Sequence, residues 1–411
     1  MDVAHVQSRQ DMIRFLDGHA WESADDAPAS TITSSVVKTQ LIEVQDGCSQ
    51  HGALPKVFAG HGIRLDQLDD SLFRVVDRDQ APIGWLEQLS ARVVGLYSVL
   101  KADDFDARVR RIIMSNRELD YVWLSGQTFG VLWKLLGKYC KPHRFTRLVF
   151  THDSVYDIDS DAEYADEDST PPEDTRAEDA DRVFDHRATS FRLTDRLGEL
   201  KEHLEKLQDI YSPFFAISQL RFPSPTGRGG HDFFDNGRVT NRSASFLDHR
   251  SHLLFVIGIY ENMLRATEAS AWYAIKESVN VPGQFNKIVG APITVRFREP
   301  LSESTFSRWI QTTFSRKRNR FRLWGHPIVL GPTKVHVYGV DRHLWQPIFL
   351  EFTSTGCVAI IPHGTCGNTV HRLVTNIQRY VDPGATAFIG DKPYRDMVED
   401  SAGSIPYVIQ S

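Results

Sequence analysis

The first 150 residues mix two hydrophobic periods, one typical of strands and one typical of helices. Val36–Val44 partly alternates and is β-branched, which predicts a strand, and Arg144–Thr151 predicts another. Pro82–Lys101 carries apolar residues at three- and four-residue spacing, which predicts a helix. Because the predicted elements alternate, we expect an α/β domain over residues 36–152, after an N-terminal helix and linker over residues 1–35.

The middle of the chain pairs an acidic stretch with two long helical patterns. Residues 153–187 are dominated by Asp and Glu, so they predict a disordered linker. Phe191–Phe215 and Ser251–Ile275 have the apolar spacing of helices. We therefore expect a helical region over residues 188–280, with an insertion rich in Arg and His over residues 221–252.

The last third predicts a compact unit of strands and helices over residues 285–396. Gly356 marks the turn of a predicted hairpin. The predicted fold class is therefore α+β and multi-domain: an N-terminal α/β domain, a helical middle region, and a C-terminal antiparallel sheet with packed helices. The C-terminal prediction consists of strand Ile293–Phe297, helix Glu303–Phe314, strands Phe321–Leu330, Lys334–Val340, Ile348–Thr353 and Cys357–Pro362, and helix Asn368–Val381.

The strand, turn, strand and helix over Gln346–Val381 occur in an order that resembles the saddle-shaped half-repeat of TATA-binding proteins. The resemblance covers this segment alone and rests on the order of the elements. Since a fold hosts many functions, it implies a half-saddle fold and does not identify a ligand.

Composition narrows the class of protein. The chain has 411 residues, a net charge of −6 and four cysteines. This charge excludes a wholly basic nucleic-acid binder but leaves room for local basic patches. Four cysteines are too few for a disulfide scaffold of this length. The N-terminus lacks the basic start and apolar run of a signal peptide, so we expect a cytoplasmic protein with no membrane contact.

A basic and aromatic run over residues 315–326 is the first candidate for binding. Its cations can neutralise phosphates, while Phe321 and Trp324 can stack on bases. If the run enters a strand, Phe321 faces the core and Arg320 and Arg322 face solvent. The alternative is a solvated helix terminus. The predicted nucleic-acid-binding set is Arg228, Arg238, Arg250, Arg316, Lys317, Arg318, Arg320 and Arg322, with Arg242 beside them.

The insertion also holds a pattern of catalytic residue types. Arg242 is followed after six residues by His249, at the start of an apolar helix, and this resembles the ribonuclease motif of the HEPN family. The resemblance implies that Arg242 binds phosphate and that His249 acts as acid or base without metal. Ser243 departs from that motif, where Asn, Asp or His is usual. The alternative is that Asp248 caps the helix. The candidate catalytic set is His231, Arg242, Asp248 and His249.

The glycines around Arg228 have two interpretations. In Gly227-Arg228-Gly229-Gly230-His231 the backbone amides could bind an anion. The same glycines could instead form a turn that needs positive φ angles.

Two sets of residues suggest a metal. Cys48 with His51, and Cys140 with His143, would supply the two thiolates and two imidazoles that zinc accepts. A second set is formed by His363, Cys366 and His371, with Cys357 on the preceding strand. The alternative is structural cysteines beside surface histidines, in which case we expect no cofactor.

The sequence thus supports three functions. We expect a nucleic-acid-binding protein that uses the basic clusters of its second half. The first alternative is a metal-independent ribonuclease or phosphoesterase at Arg242 and His249. The second is a scaffold subunit whose partners are other proteins of a complex.

Overall fold

The fold is α+β, with antiparallel sheets and helices packed against them, as the hydrophobic pattern predicts. The structure is a computed structural model. It describes residues 6–25, 36–45, 53–59, 63–77, 81–155, 158, 189–210, 216–276, 287–314 and 320–403. Within these residues, no helix combines the length and the apolar character that a membrane crossing requires.

The described helices are α1 (Arg9–Asp25), α2 (Leu54–Ala59), α3 (Ala102–Ser115), α4 (Gly126–Tyr139), α5 (Leu197–Ile210), α6 (Phe246–Ala271), α7 (Glu303–Thr313), α8 (Asn368–Tyr380) and α9 (Tyr394–Ala402). The described strands are β1 (Lys38–Val44), β2 (Arg64–Asp69), β3 (Leu72–Val76), β4 (Pro82–Gln88), β5 (Val93–Ser98), β6 (Leu119–Tyr121), β7 (Phe145–His152), β8 (Thr189–Arg196), β9 (Ile217–Pro223), β10 (Gly230–Phe234), β11 (Arg238–Asn241), β12 (Ala274–Lys276), β13 (Lys287–Val289), β14 (Ile293–Arg296), β15 (Leu323–Gly331), β16 (Lys334–Asp341), β17 (Gln346–Thr353), β18 (Gly356–Ile360), β19 (Thr386–Ile389) and β20 (Lys392–Pro393).

A large antiparallel sheet is centred on β1. Its strand order is β2-β3-β4-β5-β1-β11-β10-β9-β7-β8. Strand β6 pairs with the C-terminal residues of β1. Every residue of β1 is buried, so both faces of the sheet are covered at this point. Strands β10 and β11 belong to the Arg- and His-rich segment, and β9 runs into its start at Arg221. They pair with β1 and β7, which brings that segment into the centre of the sheet.

A second antiparallel sheet forms the C-terminal unit, in the order β15-β16-β17-β18-β14-β19-β20. One of its faces is buried through Val335, Val337, Leu350 and neighbouring residues. Helix α7 packs on this face, where the Trp309 and Phe352 rings lie 4.8 Å apart. All 13 residues of α8 are buried, and α8 also contacts β7, so it links the two sheets.

Helix α6 crosses the core between the sheets. The Ser245 side chain caps it by accepting a hydrogen bond from the Asp248 amide at 3.1 Å. The helix contacts α1, α9, β10 and β19, and most of its residues are buried. The predicted long helix Ser251–Ile275 is therefore confirmed, with a start five residues earlier and an end four residues earlier, so that Ile275 lies in β12.

The predicted helix over Pro82–Lys101 is wrong, because this segment forms the hairpin of β4 and β5. Strands buried on both faces read as continuous apolar runs, and such runs also fit helical spacing. Trp85 lies opposite Tyr97, and a Cβ atom on Gly84 would lie 1.8 Å from the Tyr97 carbonyl oxygen. The hairpin therefore requires glycine at position 84, a requirement that a helix would not impose.

The prediction of one helix over Phe191–Phe215 is wrong in its first part. Residues Thr189–Arg196 form β8, and α5 begins at Leu197. The predicted order of elements from β14 to α8 is confirmed, with bounds that differ by at most two residues. The sequence does not predict β19 and β20, because strands of four and two residues carry almost no periodicity. It does not predict the nine-residue helix α9 either.

Candidate functional site

Three histidines of the Arg- and His-rich segment meet inside the protein. His231 on β10 shares a hydrogen bond of 2.7 Å between its Nδ1 and the Nδ1 of His252 on α6. Its Nε2 lies 2.9 Å from the Ser243 hydroxyl oxygen. The ring of His249 lies 5.2 Å from that of His231, and its Nε2 bonds the Thr39 hydroxyl at 2.8 Å. The three rings form a buried cluster that joins α6 to β1 and β10.

Burial keeps these imidazoles neutral. It lowers the pKa of His249 to about 3 and that of His252 to about 4, and it holds the pKa of His231 well below 6.5. The desolvation of the charged form is the main cause. Neighbouring imidazoles lower the pKa of His231 and His249 further, whereas Asp248 opposes the shift of His252. At neutral pH the cluster therefore acts as a set of hydrogen-bonding groups.

The other two candidate catalytic residues are held by separate partners. Arg242 donates from Nε to Asp232 at 2.9 Å, and Arg221 forms a bidentate pair with the same carboxylate. Burial alone would raise the pKa of Asp232, but the two arginines lower it well below its usual range. Asp248 accepts hydrogen bonds from the Ser224 and Thr226 hydroxyls at 2.6 Å each. The structure brings His231 and His249 together and ties Arg242 and Asp248 to their own partners.

The predicted nucleic-acid-binding arginines lie in different environments. Arg228 is exposed, whereas Arg238 is buried against Asp106, and Arg250 pairs with Glu87. Arg320 lies over the Tyr380 ring, and residues 315–319, which include Arg316, Lys317 and Arg318, lie outside the described residues. These side chains therefore do not form one continuous surface among the described residues.

The expectation that Arg322 faces solvent is wrong. Arg322 is 3% exposed and donates to Asp120 and to the carbonyl oxygens of Leu119 and Asn116. Its φ angle is +53°, so strand alternation begins only at Leu323. The expectation that Phe321 belongs to the core is confirmed.

The metal set predicted from Cys48, His51, Cys140 and His143 is only half described. Cys48 and His51 lie outside the described residues. Cys140 follows α4 as a half-buried thiol outside any disulfide, and His143 is exposed. Cys366, which belongs to the second predicted set, lies beside two buried residues outside that set, Glu43 and His343. The ligand atoms of Glu43, His343 and Cys366 lie within 4.8 Å of one another, so these three residues could hold a metal ion.

These three residues belong to a buried network of ion pairs. Arg92 donates to Glu43 at 2.8 Å and to Glu268 at 2.9 Å. Arg372 pairs with both Asp120 and Asp341. Burial alone would raise the pKa of Asp120, but Arg372 and Arg322 beside it lower it to about 2. Asp120 therefore stays charged inside the protein, and the network joins β1 and β6 to α8.

The C-terminal sheet carries an exposed set of aromatic residues, which we call the aromatic face: Trp324 on β15, Tyr338 on β16 and Phe349 on β17. They are 56%, 67% and 39% exposed. Tyr338 lies directly opposite Phe349 in the strand register, with ring centroids 5.5 Å apart. His326 lies opposite Tyr338 on the other side. Apolar rings exposed on neighbouring strands are typical of a binding surface.

Comparison with known proteins gives a family. A family model described as MJECL33-like protein matches residues 1–394. The chain belongs to the MJECL33-like protein family. It is 36% identical over 62 residues to Uncharacterized protein MJECL33 of Methanocaldococcus jannaschii, a stretch that spans 15% of each chain. No solved structure matches, so the likeness to TATA-binding proteins stays one of element order.

In this MJECL33-like chain, sequence reasoning missed the acidic half of the buried network. Glu43 interrupts the apolar run of β1, and Asp120 lies in the short β6. A charged residue inside a strand that is buried on both faces must find a partner, which is the signal that could have identified them. Their partners, such as Cys366, lie as far as 323 residues away, and no local pattern reports such a pairing.

Proposed function

We propose that this protein binds single-stranded nucleic acid across the aromatic face of its C-terminal sheet. The observation that carries the proposal is the exposure of Trp324, Tyr338 and Phe349 on three adjacent antiparallel strands. Exposed rings on a sheet can stack with unpaired bases, and each stacked base contributes about 1–3 kcal/mol. Duplex DNA hides its base faces, so this chemistry favours single strands.

Charge around the aromatic face supports the same ligand. Lys334 lies on the same side of β16 as Tyr338, and Arg296 on β14 is exposed. The acid on this side, Glu351, is paired with Lys334 at 3.0 Å and with His336 at 2.5 Å. The basic sequence over residues 315–320 leads directly into β15, the edge strand that carries Trp324. These cations can neutralise phosphates on either side of stacked bases.

The test is a binding titration followed by fluorescence anisotropy, with labelled RNA and DNA oligonucleotides of about 16 nucleotides. The Tyr338→Ala/Phe349→Ala variant should bind at least about 10-fold more weakly, since two lost stacks together cost about 2 kcal/mol or more. The matched control is Trp21→Ala, which removes a 63% exposed ring from α1. Equal affinity of the double variant and the wild type would overturn the proposal.

The same titrations at two salt concentrations separate stacking from charge. Replacing Arg318 and Arg320 with Ala should weaken binding and flatten the salt dependence, by a slope of roughly 0.7 for each lost phosphate contact. The double aromatic variant should keep the wild-type slope. If no oligonucleotide binds at low salt, the proposal fails and the scaffold subunit becomes the function to test.

We also propose a cellular location and a zinc site for this protein. We place the protein in the cytoplasm, as its cysteine content suggests. Zinc at Cys48, His51, Cys140 and His143 stays a proposal that loss of bound zinc in Cys140→Ser would support.

A further inference from the structure

The buried ion-pair network contains two facing polar atoms that have no hydrogen-bond partner among the described residues. Glu43 on β1 and His343 in the turn after β16 are both completely buried. Glu43 Oε2 and His343 Nε2 lie 3.7 Å apart, and neither has a hydrogen-bond partner among the described residues. A buried polar atom without a partner costs about 1–3 kcal/mol, and more when it is charged. Two such atoms that face each other would both be stabilised by a cation bound between them.

The hydrogen bonds of His343 determine which of its ring nitrogens carries a hydrogen and what the other nitrogen can bind. Its Nδ1 lies 3.1 Å from the Arg117 carbonyl oxygen, which can only accept, so Nδ1 carries the hydrogen. A neutral ring then directs the Nε2 lone pair at the Glu43 carboxylate, which offers only lone pairs as well. Their separation of 3.7 Å is too long for a hydrogen bond. Ligands held roughly 2.0–2.2 Å from one zinc ion lie roughly 3.3–3.7 Å apart at tetrahedral to trigonal angles.

The net charge of the buried network also favours a bound cation. Four buried carboxylates, Glu43, Asp120, Glu268 and Asp341, face three guanidinium groups, those of Arg92, Arg322 and Arg372. With His343 neutral and Cys366 a thiol, one negative charge is left without a counter-charge. A divalent cation together with a Cys366 thiolate balances the network, and a protonated His343 is the competing solution.

Cys366 completes a three-ligand set. Its Sγ lies 2.9 Å from Glu43 Oε1 and 3.2 Å from an Arg92 nitrogen. Arg92 bonds Oε1 of Glu43, which leaves Oε2 for a second cation. His343 has the arrangement usual for a metal ligand, with its other ring nitrogen donating to a backbone carbonyl.

We propose that Glu43, His343 and Cys366 bind one divalent cation of the zinc class. Thiolate, imidazole and carboxylate together favour zinc over magnesium or calcium, which prefer oxygen ligands. Binding forms a metal–sulfur bond and releases the thiol proton to solvent. The ion joins β1 of the large sheet to the turn after β16 and the loop before α8. It therefore links the N-terminal and C-terminal parts of the chain.

The test measures metal content of the full chain after chelation and reloading with Zn²⁺ or Co²⁺. We expect the wild type to hold one ion per chain more than Cys366→Ser and His343→Gln do. Cys357→Ser is the matched control, because it replaces another buried free thiol, on β18. Cys140→Ser is the second control, because it belongs to the set predicted from sequence. Both controls should retain the ion that Cys366→Ser loses.

Two outcomes would overturn this proposal. One is an ion that survives both Cys366→Ser and His343→Gln. The other is a folded wild-type chain that takes up no metal, with His343 found protonated by nitrogen NMR. If the variants do not fold, Co²⁺ added to the Cys140→Ser chain decides, because thiolate ligation produces an intense charge-transfer absorption in the near ultraviolet. Its absence would exclude Cys366 as a ligand. None of these readouts depends on nucleic-acid binding.

Discussion

Individual polar residues, buried in pairs and clusters, determine much of this protein's interior. His231, His249 and His252 are each almost completely buried, and they hydrogen-bond one another or the hydroxyls of Ser243 and Thr39. Removing such a group leaves a partner unsatisfied, which usually costs more than the bond itself contributes. The residue types that look catalytic in the sequence are therefore also those that hold α6 against β1 and β10.

The histidine cluster predicts how stability depends on pH. In the unfolded chain these histidines have a pKa near 6.5, whereas in the fold the pKa is about 3 for His249 and about 4 for His252. The unfolded state therefore binds more protons below pH 6.5. Stability is fully present above that pH and falls progressively as the pH drops toward the folded values. Melting temperatures between about pH 7.5 and about pH 4.5 should show this decline.

The substitution His249→Gln tests whether the histidine cluster causes this fall in stability at low pH. His249→Gln keeps an amide group that can reach Thr39 and removes one buried imidazole, so the melting temperature should depend less steeply on pH. His143→Gln, at an exposed position, should leave the slope as in the wild type. A slope that His249→Gln does not change would contradict the role given to burial.

At the scale of elements, the Arg- and His-rich segment is a hairpin and not a loop between helices. Strands β10 and β11 pair with each other, and β11 pairs with β1. Gly229, just before β10, has φ +78°, and a Cβ atom there would lie 1.9 Å from the Arg242 carbonyl oxygen. Its glycine is therefore required by backbone geometry, which favours the turn over the anion-binding loop.

Gly229→Ala should destabilise the protein by about 1–3 kcal/mol, because the substitution meets both a positive φ and a backbone atom. Gly227→Ala is the matched control, since its added Cβ would meet only the Ser224 hydroxyl at 3.7 Å. Urea unfolding of the two variants measures the difference. Equal midpoints for both variants would show that the hairpin does not need a glycine at position 229.

At the scale of the whole molecule, the sequence predicts the α+β class and the order from β14 to α8, because each of those elements has a clear period. It predicts Pro82–Lys101 as a helix because both faces of β4 and β5 are buried. The buried network could not be predicted, since Glu43 and Cys366 are 323 residues apart. The aromatic face could be foreseen only through Trp324, because Tyr338 and Phe349 show their shared exposure only once the strand register is known.

Ultraviolet cross-linking of a bound oligonucleotide, followed by peptide mass spectrometry, tests the central claim most directly. Base stacking on the aromatic face predicts cross-links at Trp324, Tyr338 or Phe349, within peptides of β15 to β17. Cross-links confined to the large sheet, such as those around the exposed Arg228, would contradict it. They would place nucleic acid at the hairpin of β10 and β11 instead.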